Sequence, residues 1–82
     1  MHMDQKIFTL GLPTETVSCY LLLTGLADQD LPLTRRGVEP LWAGDAAGFD
    51  AALGELERRG VIAIPEEADA PLRLLPPEMW RD

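Results

Sequence analysis

Apolar residues along this chain fall into short runs separated by glycine, proline and aspartate, and the spacing within each run predicts an element. The clearest run repeats at the helical spacing i, i+3, i+4, i+7 and consists of Phe49, Ala52, Leu53 and Leu56. Asp45 precedes it as a candidate N-cap, and Gly60 follows it as a stop signal. The pattern predicts an amphipathic helix over residues 45–59 with its apolar side in the core.

Residues 14–27 predict a helix of a different kind, because apolar side chains occur on almost every side of it. Thr14 is the candidate N-cap, and Glu15 suits the positive end of the helix dipole. Only a narrow side near Ser18 and Gly25 is polar, so we expect this helix to be enclosed in the middle of the domain. A buried strand within this stretch is the alternative, but the length and the cap favour a helix.

A third, weaker helix is predicted over residues 34–42, with an inward side formed by Val38, Leu41 and Trp42. Thr34 is its N-cap, but Gly37 and Pro40 weaken it, because glycine is flexible and proline has no N–H to donate. We therefore expect this helix to be short or kinked. Residues 31–33 before it predict a short strand, since the proline among them disfavours helical backbone.

Strand character is found near both ends of the chain. Residues 6–10 predict a short N-terminal strand, and residues 61–64 and 72–75 predict an antiparallel pair around an acidic loop. Residues 76–82 form a tail. The elements together predict a single α+β domain over residues 1–82, with three helices packed on a short antiparallel β-hairpin and an extra N-terminal strand.

The order of these elements between Thr14 and Leu75 resembles that of the winged helix-turn-helix superfamily. The most telling segment is residues 53–62, Leu-Gly-Glu-Leu-Glu-Arg-Arg-Gly-Val-Ile, which looks like the end of the family's third helix running into its first wing strand. Residues 31–33 match the small strand before the second helix, whereas the predicted strand at 6–10 is an addition. A different small α+β arrangement of the same elements is the alternative. The resemblance implies that the third helix and the wing are the surfaces that would touch DNA.

Charge argues against that use of the fold. Lysine and arginine number 7 against 14 aspartates and glutamates, a formal net charge of −7, which is unfavourable for approach to nucleic acid or to anionic membranes. The outward side of the predicted third helix carries Ala46, Ala47, Asp50, Ala51, Gly54, Glu57 and Arg58. The wing tip carries Glu66, Glu67 and Asp69. We therefore predict that nucleic acid is not a partner. The alternative is a DNA-binding transcriptional regulator that acts as a dimer or with a basic partner, through Arg35, Arg36 and Arg58.

Residues that usually carry catalysis or bind metal are scarce in this sequence. Cys19 and His2 are its single cysteine and histidine, too few for a disulfide or for the usual zinc ligands. Cys19 lies among apolar residues, where cysteine acts as a small hydrophobe. Glu55 and Glu57 lie two positions apart on a helix and do not face each other. We predict no enzyme activity, no catalytic residue, no cofactor, no metal and no small-molecule substrate.

The sequence also lacks the signals of membrane insertion. Its longest stretch without a charged residue, residues 16–27, has 12 residues, fewer than the ~20 that cross a bilayer. The N-terminal segment breaks at Gly11 and Pro13 and does not follow a signal-peptide pattern. We therefore expect a cytoplasmic protein without a membrane partner.

These observations predict a non-catalytic protein-interaction or regulatory module whose partner is another protein or a second copy of the chain. The candidate partner contacts are Asp50, Glu57, Met79 and Trp80. Trp80 follows the rigid pair Pro76-Pro77 and either folds back over the core or projects as an anchor for a partner. Folding back is favoured, because so small a core needs every large apolar side chain.

Overall fold

The computed structural model of the chain describes residues 5–67 and 69–81. Within them the α-helices and strands are, in order, α1 (Thr14–Asp28), α2 (Arg35–Val38), α3 (Ala46–Arg58), β1 (Ile62–Ala63) and β2 (Arg73–Leu74). Three 3-10 helices cover Gln5–Thr9, Glu39–Leu41 and Pro77–Met79. The predicted α+β class is confirmed: three helices accompany a two-stranded antiparallel sheet.

Helix α3 forms as predicted, with a polar cap at its start and a glycine at its end. The Asp45 side chain accepts a hydrogen bond from the Gly48 N–H at 2.8 Å. At the other end Gly60 adopts a φ of +73°, the left-handed conformation that ends many helices. The four residues of the predicted apolar stripe are all buried, so the spacing located the inward side of this helix correctly.

Helix α1 confirms the predicted element but not its predicted surroundings. Pro13 occupies the N-cap and no side chain caps the helix, so the expected role of Thr14 as N-cap is wrong. One side of the helix is buried in the core and comprises Thr16, Cys19, Tyr20, Leu23, Thr24 and Leu26. The opposite side faces solvent, where Leu21 is 39% exposed. The expectation that α1 lies in the middle of the domain is therefore wrong: its outward side includes Ser18 and Gly25, as predicted, but extends to Leu21 as well.

The segment predicted as a helix over 34–42 is helical in two pieces. Thr34 caps α2 by accepting from the Gly37 N–H at 3.1 Å, and the 3-10 helix that follows contains Pro40. Val38 is buried as expected, but Leu41 is 55% exposed, which corrects the prediction that it points inward. Pro40 and the change from α- to 3-10 geometry end the regular helix here, so the α-helical spacing that predicted an inward Leu41 does not apply.

Two predicted strands are absent from the described residues. Residues 6–10 lie mostly in a 3-10 helix, in which Ile7 and Leu10 are buried three positions apart and Phe8 is exposed. That spacing suits one side of a 3-10 helix, and no described strand is available to pair with the segment. Residues 31–33 are extended but form no strand, because their described ladder contact is a single hydrogen bond from the Leu72 N–H to the Leu33 carbonyl.

The predicted hairpin is confirmed in a shortened form. Ile62 pairs with Leu74 and Ala63 pairs with Arg73, antiparallel, and the Leu75 N–H donates to the Val61 carbonyl beside them. Its first strand is anchored in the core, where Val61 and Ile62 are fully or almost fully buried. The hairpin therefore covers one end of the helical layer.

The C-terminal tail folds back over the core. Trp80 is 7% exposed and packs edge-on against Tyr20 of α1, with ring centroids 5.6 Å apart. Its indole Nε1 donates to the Leu75 carbonyl at 3.0 Å. The favoured position of this side chain is confirmed, and its burial removes Trp80 from the surface that a partner could contact.

Candidate interaction surface

The arginines that were candidates for nucleic-acid contact all lie beside carboxylates. Arg35 forms a hydrogen-bonded ion pair with Asp50, which ties α2 to α3. Arg36 Nε lies 3.6 Å from Asp69 of the hairpin loop, and both side chains are largely exposed. Exposed pairs of this kind add little stability, but each one balances a positive charge locally. The candidate partner contact Asp50 is thus engaged within the molecule.

The C-terminal end of α3 holds a second, denser group of charges. Glu55 accepts from Arg58 and from Arg59 Nε, the latter at 3.1 Å. The hydrogen bond from Arg58, together with the bond from Arg59 and the two positive charges, holds the pKa of Glu55 below its usual value of 4.5. Arg59 also reaches the carbonyls of Leu10 and Arg81 at 3.4 Å each, so it joins both chain ends to α3.

The residues that sequence reasoning selected as partner contacts do not form one surface. Asp50 lies in the first half of α3 against Arg35, whereas Met79 lies beside Gly60, about 15 Å further along the helix axis. Glu57 is exposed on α3, and Trp80 is buried against Tyr20. Met79 is 55% exposed at the end of the tail.

Cys19 lies fully inside the core. Burial raises the pKa of its thiol to about 11, which leaves almost no thiolate at neutral pH. Within residues 5–67 and 69–81, no three His, Cys, Asp or Glu side chains come together as a group that could hold a metal ion. His2 lies outside the described residues.

An uncharged surface on α1 is the feature that sequence reasoning missed. The side of α1 that faces away from the core, here called the α1 outer face, consists of Val17, Ser18, Leu21, Leu22 and Gly25. Leu21 is exposed, and Val17 and Leu22 are half-buried. By contrast, the outward side of α3 carries Asp50, Glu57 and Arg58, as a solvated helix normally does. The available signal was the run of 12 uncharged residues at 16–27, which is longer than one buried side requires.

A cleft opens beside the N-terminal end of this face, next to Ser18. It has a volume of about 440 Å³ and is lined by Glu15, Ser18, Trp42, Ala43, Gly44 and Asp45; we refer to it as the Trp42 cleft. Trp42 leans against Phe49 with ring centroids 5.8 Å apart, so its indole is held in place by the core. The indole Nε1 is buried and has no hydrogen-bond partner among the described residues.

The acids of the Trp42 cleft come from two different elements. Glu15 lies in the first turn of α1, and Asp45 caps α3. Among the described residues neither carboxylate forms an ion pair with a lysine or arginine. A smaller cleft of about 310 Å³ shares Glu15 and continues along α3 past Gly48 and Ala51. Negative charge and an aromatic ring therefore meet beside an apolar helix face.

Across the described residues, no helix combines the length and the apolar character that a membrane crossing requires. Comparison with models of protein families, with curated proteins and with solved structures finds no match to this chain.

Proposed function

We propose that this protein is a non-catalytic interaction module, a small winged-helix-like domain that binds another protein. The observation that carries the proposal is the α1 outer face. Leu21 is exposed on this uncharged helix face, beside Leu22, which is half-buried and packs against the core, and apolar surface left exposed in this way supports a binding surface. The chain has a net charge of −7, so the absence of charged residues from this one face stands out against the rest of the surface.

The element order supports the winged-helix part of this proposal. Three helices are followed by an antiparallel hairpin. The Leu72 N–H beside the hairpin donates one hydrogen bond to the carbonyl of Leu33, in the segment before α2. A small third strand occupies this position in the winged-helix pattern. Here α3 is the counterpart of the helix that reads DNA in that family.

The charges support a protein partner over a nucleic acid. Arg35, Arg36 and Arg58 each lie beside a carboxylate, so DNA phosphates would have to compete with Asp50, Asp69 and Glu55 for them. Catalysis lacks support as well, since the cysteine is buried with a raised pKa. A DNA-binding transcriptional regulator that acts as a dimer or with a basic partner remains the alternative, and the test below separates it from a protein-binding module.

The proposal is tested by comparing the wild-type protein with Leu21→Glu as immobilised bait in extracts of the source cells. We expect a defined protein to be retained by the wild type and lost from Leu21→Glu. Ala47→Glu is the matched control, because Ala47 is exposed on α3 and outside the proposed surface, and it should retain the same protein. In parallel, labelled duplex DNA at low salt should not bind. Micromolar, salt-sensitive DNA binding would overturn the proposal in favour of the regulator.

A further inference from the structure

The α1 outer face and the Trp42 cleft are continuous through Ser18. This residue lines the cleft and stands one turn before Leu21 and Leu22 on the same side of the helix. The face runs from Val17 to Gly25, about 12 Å along the axis of α1. That length matches about two turns of a second helix laid beside it, and the Trp42 cleft extends the surface beyond Ser18.

Small residues on the α1 outer face allow such a helix to come close. Ser18 and Gly25 are seven positions apart and therefore lie on one line along α1. A Cβ added at Gly25 would meet nothing within 4 Å, so the space above this residue is open. Leu21 and Leu22 stand between the two small residues. The resulting row of ridges and hollows is what a packing helix requires.

The Trp42 cleft indicates the charge of the occupant. Two carboxylates without a cationic partner in the described part of the chain, Glu15 and Asp45, lie beside the indole of Trp42. A lysine or arginine fits this site, because it would form ion pairs with the acids and a cation–π contact with the ring.

A second copy of the chain is a poorer occupant. If two α1 outer faces packed together, each would offer the other only uncharged residues, because positions 16–27 contain no lysine or arginine. Both clefts would remain without a cation. Nucleic acids and anionic membranes are excluded by the sign of the same acids.

We propose that the α1 outer face and the Trp42 cleft form one docking surface for a basic amphipathic helix of another protein. Its apolar side packs on Leu21 and Leu22, and a lysine or arginine near one end enters the Trp42 cleft. This inference rests on the proposed function and names the chemistry of the partner.

The test uses two labelled synthetic peptides of about 18 residues, which as helices of about 27 Å are long enough to span the face and the cleft. Both carry the same leucine stripe, one with lysine and arginine on its polar side and the other with glutamate. Fluorescence anisotropy at physiological salt measures binding to the full chain. We expect the basic peptide to bind at least tenfold more tightly than the acidic one. Amide chemical shifts should move at residues 15–28 and 42–45 and not along the outward side of α3.

Two charge reversals separate docking from general attraction. Glu15→Lys should lower the affinity for the basic peptide at least tenfold. Glu57→Lys makes the same change of net charge on the exposed side of α3 and should change that affinity less than twofold. Leu21→Glu should also weaken it at least tenfold. Leu21→Ala, which removes the leucine side chain without adding a charge, should lower the same affinity. Thermal unfolding shows whether each variant is folded.

Several outcomes overturn the inference. Equal losses from Glu15→Lys and Glu57→Lys would show attraction to net charge alone, and equal binding of both peptides would show nonspecific hydrophobic contact. If neither peptide binds but a cellular protein is still retained by the wild type and lost from Leu21→Glu, the basic helix is overturned and the proposed function stands. If neither peptide binds and no cellular protein depends on Leu21 for its retention, both the inference and the proposed function are overturned.

Discussion

A Cβ atom on Gly60 would lie 2.5 Å from the carbonyl oxygen of Met79. The tail of the protein therefore crosses the end of α3 at a distance that only glycine permits. The crossing brings the Arg81 N–H to the Arg59 carbonyl and places Trp80 over Tyr20. Gly60 thus ends α3 and also leaves room for the C-terminal tail, which packs over the core.

Replacing Gly60 tests that relationship. Gly60→Ala should lower the free energy of unfolding by about 2 kcal/mol or more, since it adds a backbone clash to the ~1–2 kcal/mol cost of a left-handed alanine. Gly11→Ala is the matched control, because Gly11 has a φ of +68° but nothing within 4 Å of an added Cβ. Urea unfolding of both variants isolates the clash. Equal losses would show that the tail does not cross position 60 this closely.

The burial of Trp80 predicts that the tail is part of the folded core. Trp80→Ala should cost about 3–5 kcal/mol of unfolding free energy, and Trp80→Phe about 1 kcal/mol for the hydrogen bond to Leu75. Met79→Ala should change stability by less than about 0.5 kcal/mol, because this neighbouring side chain is exposed. Denaturant titration measures all three. A Trp80→Ala protein as stable as the wild type would contradict the packing of the tail against the core.

The lowered pKa of Glu55 predicts a pH dependence of stability with a definite sign. A carboxylate whose pKa is depressed in the folded state stabilises the fold fully above its unfolded value, here the usual 4.5, and loses that contribution as pH falls through the folded pKa. Unfolding midpoints of Glu55→Gln should therefore fall less steeply than those of the wild type below pH 4.5 and should lie below them at pH 7. Parallel curves would show that the arginines do not act on this carboxyl group.

The buried thiol of Cys19 predicts slow chemical modification. A pKa of about 11 in place of 9.0 leaves roughly a hundredfold less thiolate at pH 8, and burial restricts access further. Reaction with a disulfide reagent should be more than a hundredfold slower in the native protein than in urea. Cys19→Ser should remove the reaction altogether. Rapid modification of the native protein would place the thiol at the surface.

Helix α3 and residues 6–10 show how far local pattern can predict a structure. The inward side of α3 could be read directly, because its apolar residues occupy one side and Asp45 and Gly60 mark its ends. The same reasoning failed at residues 6–10, where a short apolar run predicts a strand, whereas Ile7 and Leu10 lie on the buried side of a segment that is mostly 3-10 helix. A strand needs a partner for its backbone groups, and pairing is a property of the whole fold.

The candidate surface was harder to predict than the fold for a physical reason. Helix α1 is uncharged from residue 16 to residue 27, so its sequence marks only a narrow polar side near Ser18 and Gly25 and does not show how wide the outer side is. Only the packing of α3 and Trp80 against the other side leaves Leu21 exposed. The Trp42 cleft could not be predicted from the sequence either, because Glu15 and Asp45 are far apart along the chain and come together only through packing.

By itself the sequence determined the α+β class, the positions of the helices, the glycine stop after α3 and the scarcity of catalytic groups. These follow from interactions within a few residues, such as caps, turns and the repeat of apolar side chains. The tertiary structure alone decided which side of α1 is covered, where Trp80 lies, and which acid pairs with each arginine. These outcomes depend on contacts between distant segments, and the pattern along the chain does not contain the geometry that brings those segments together.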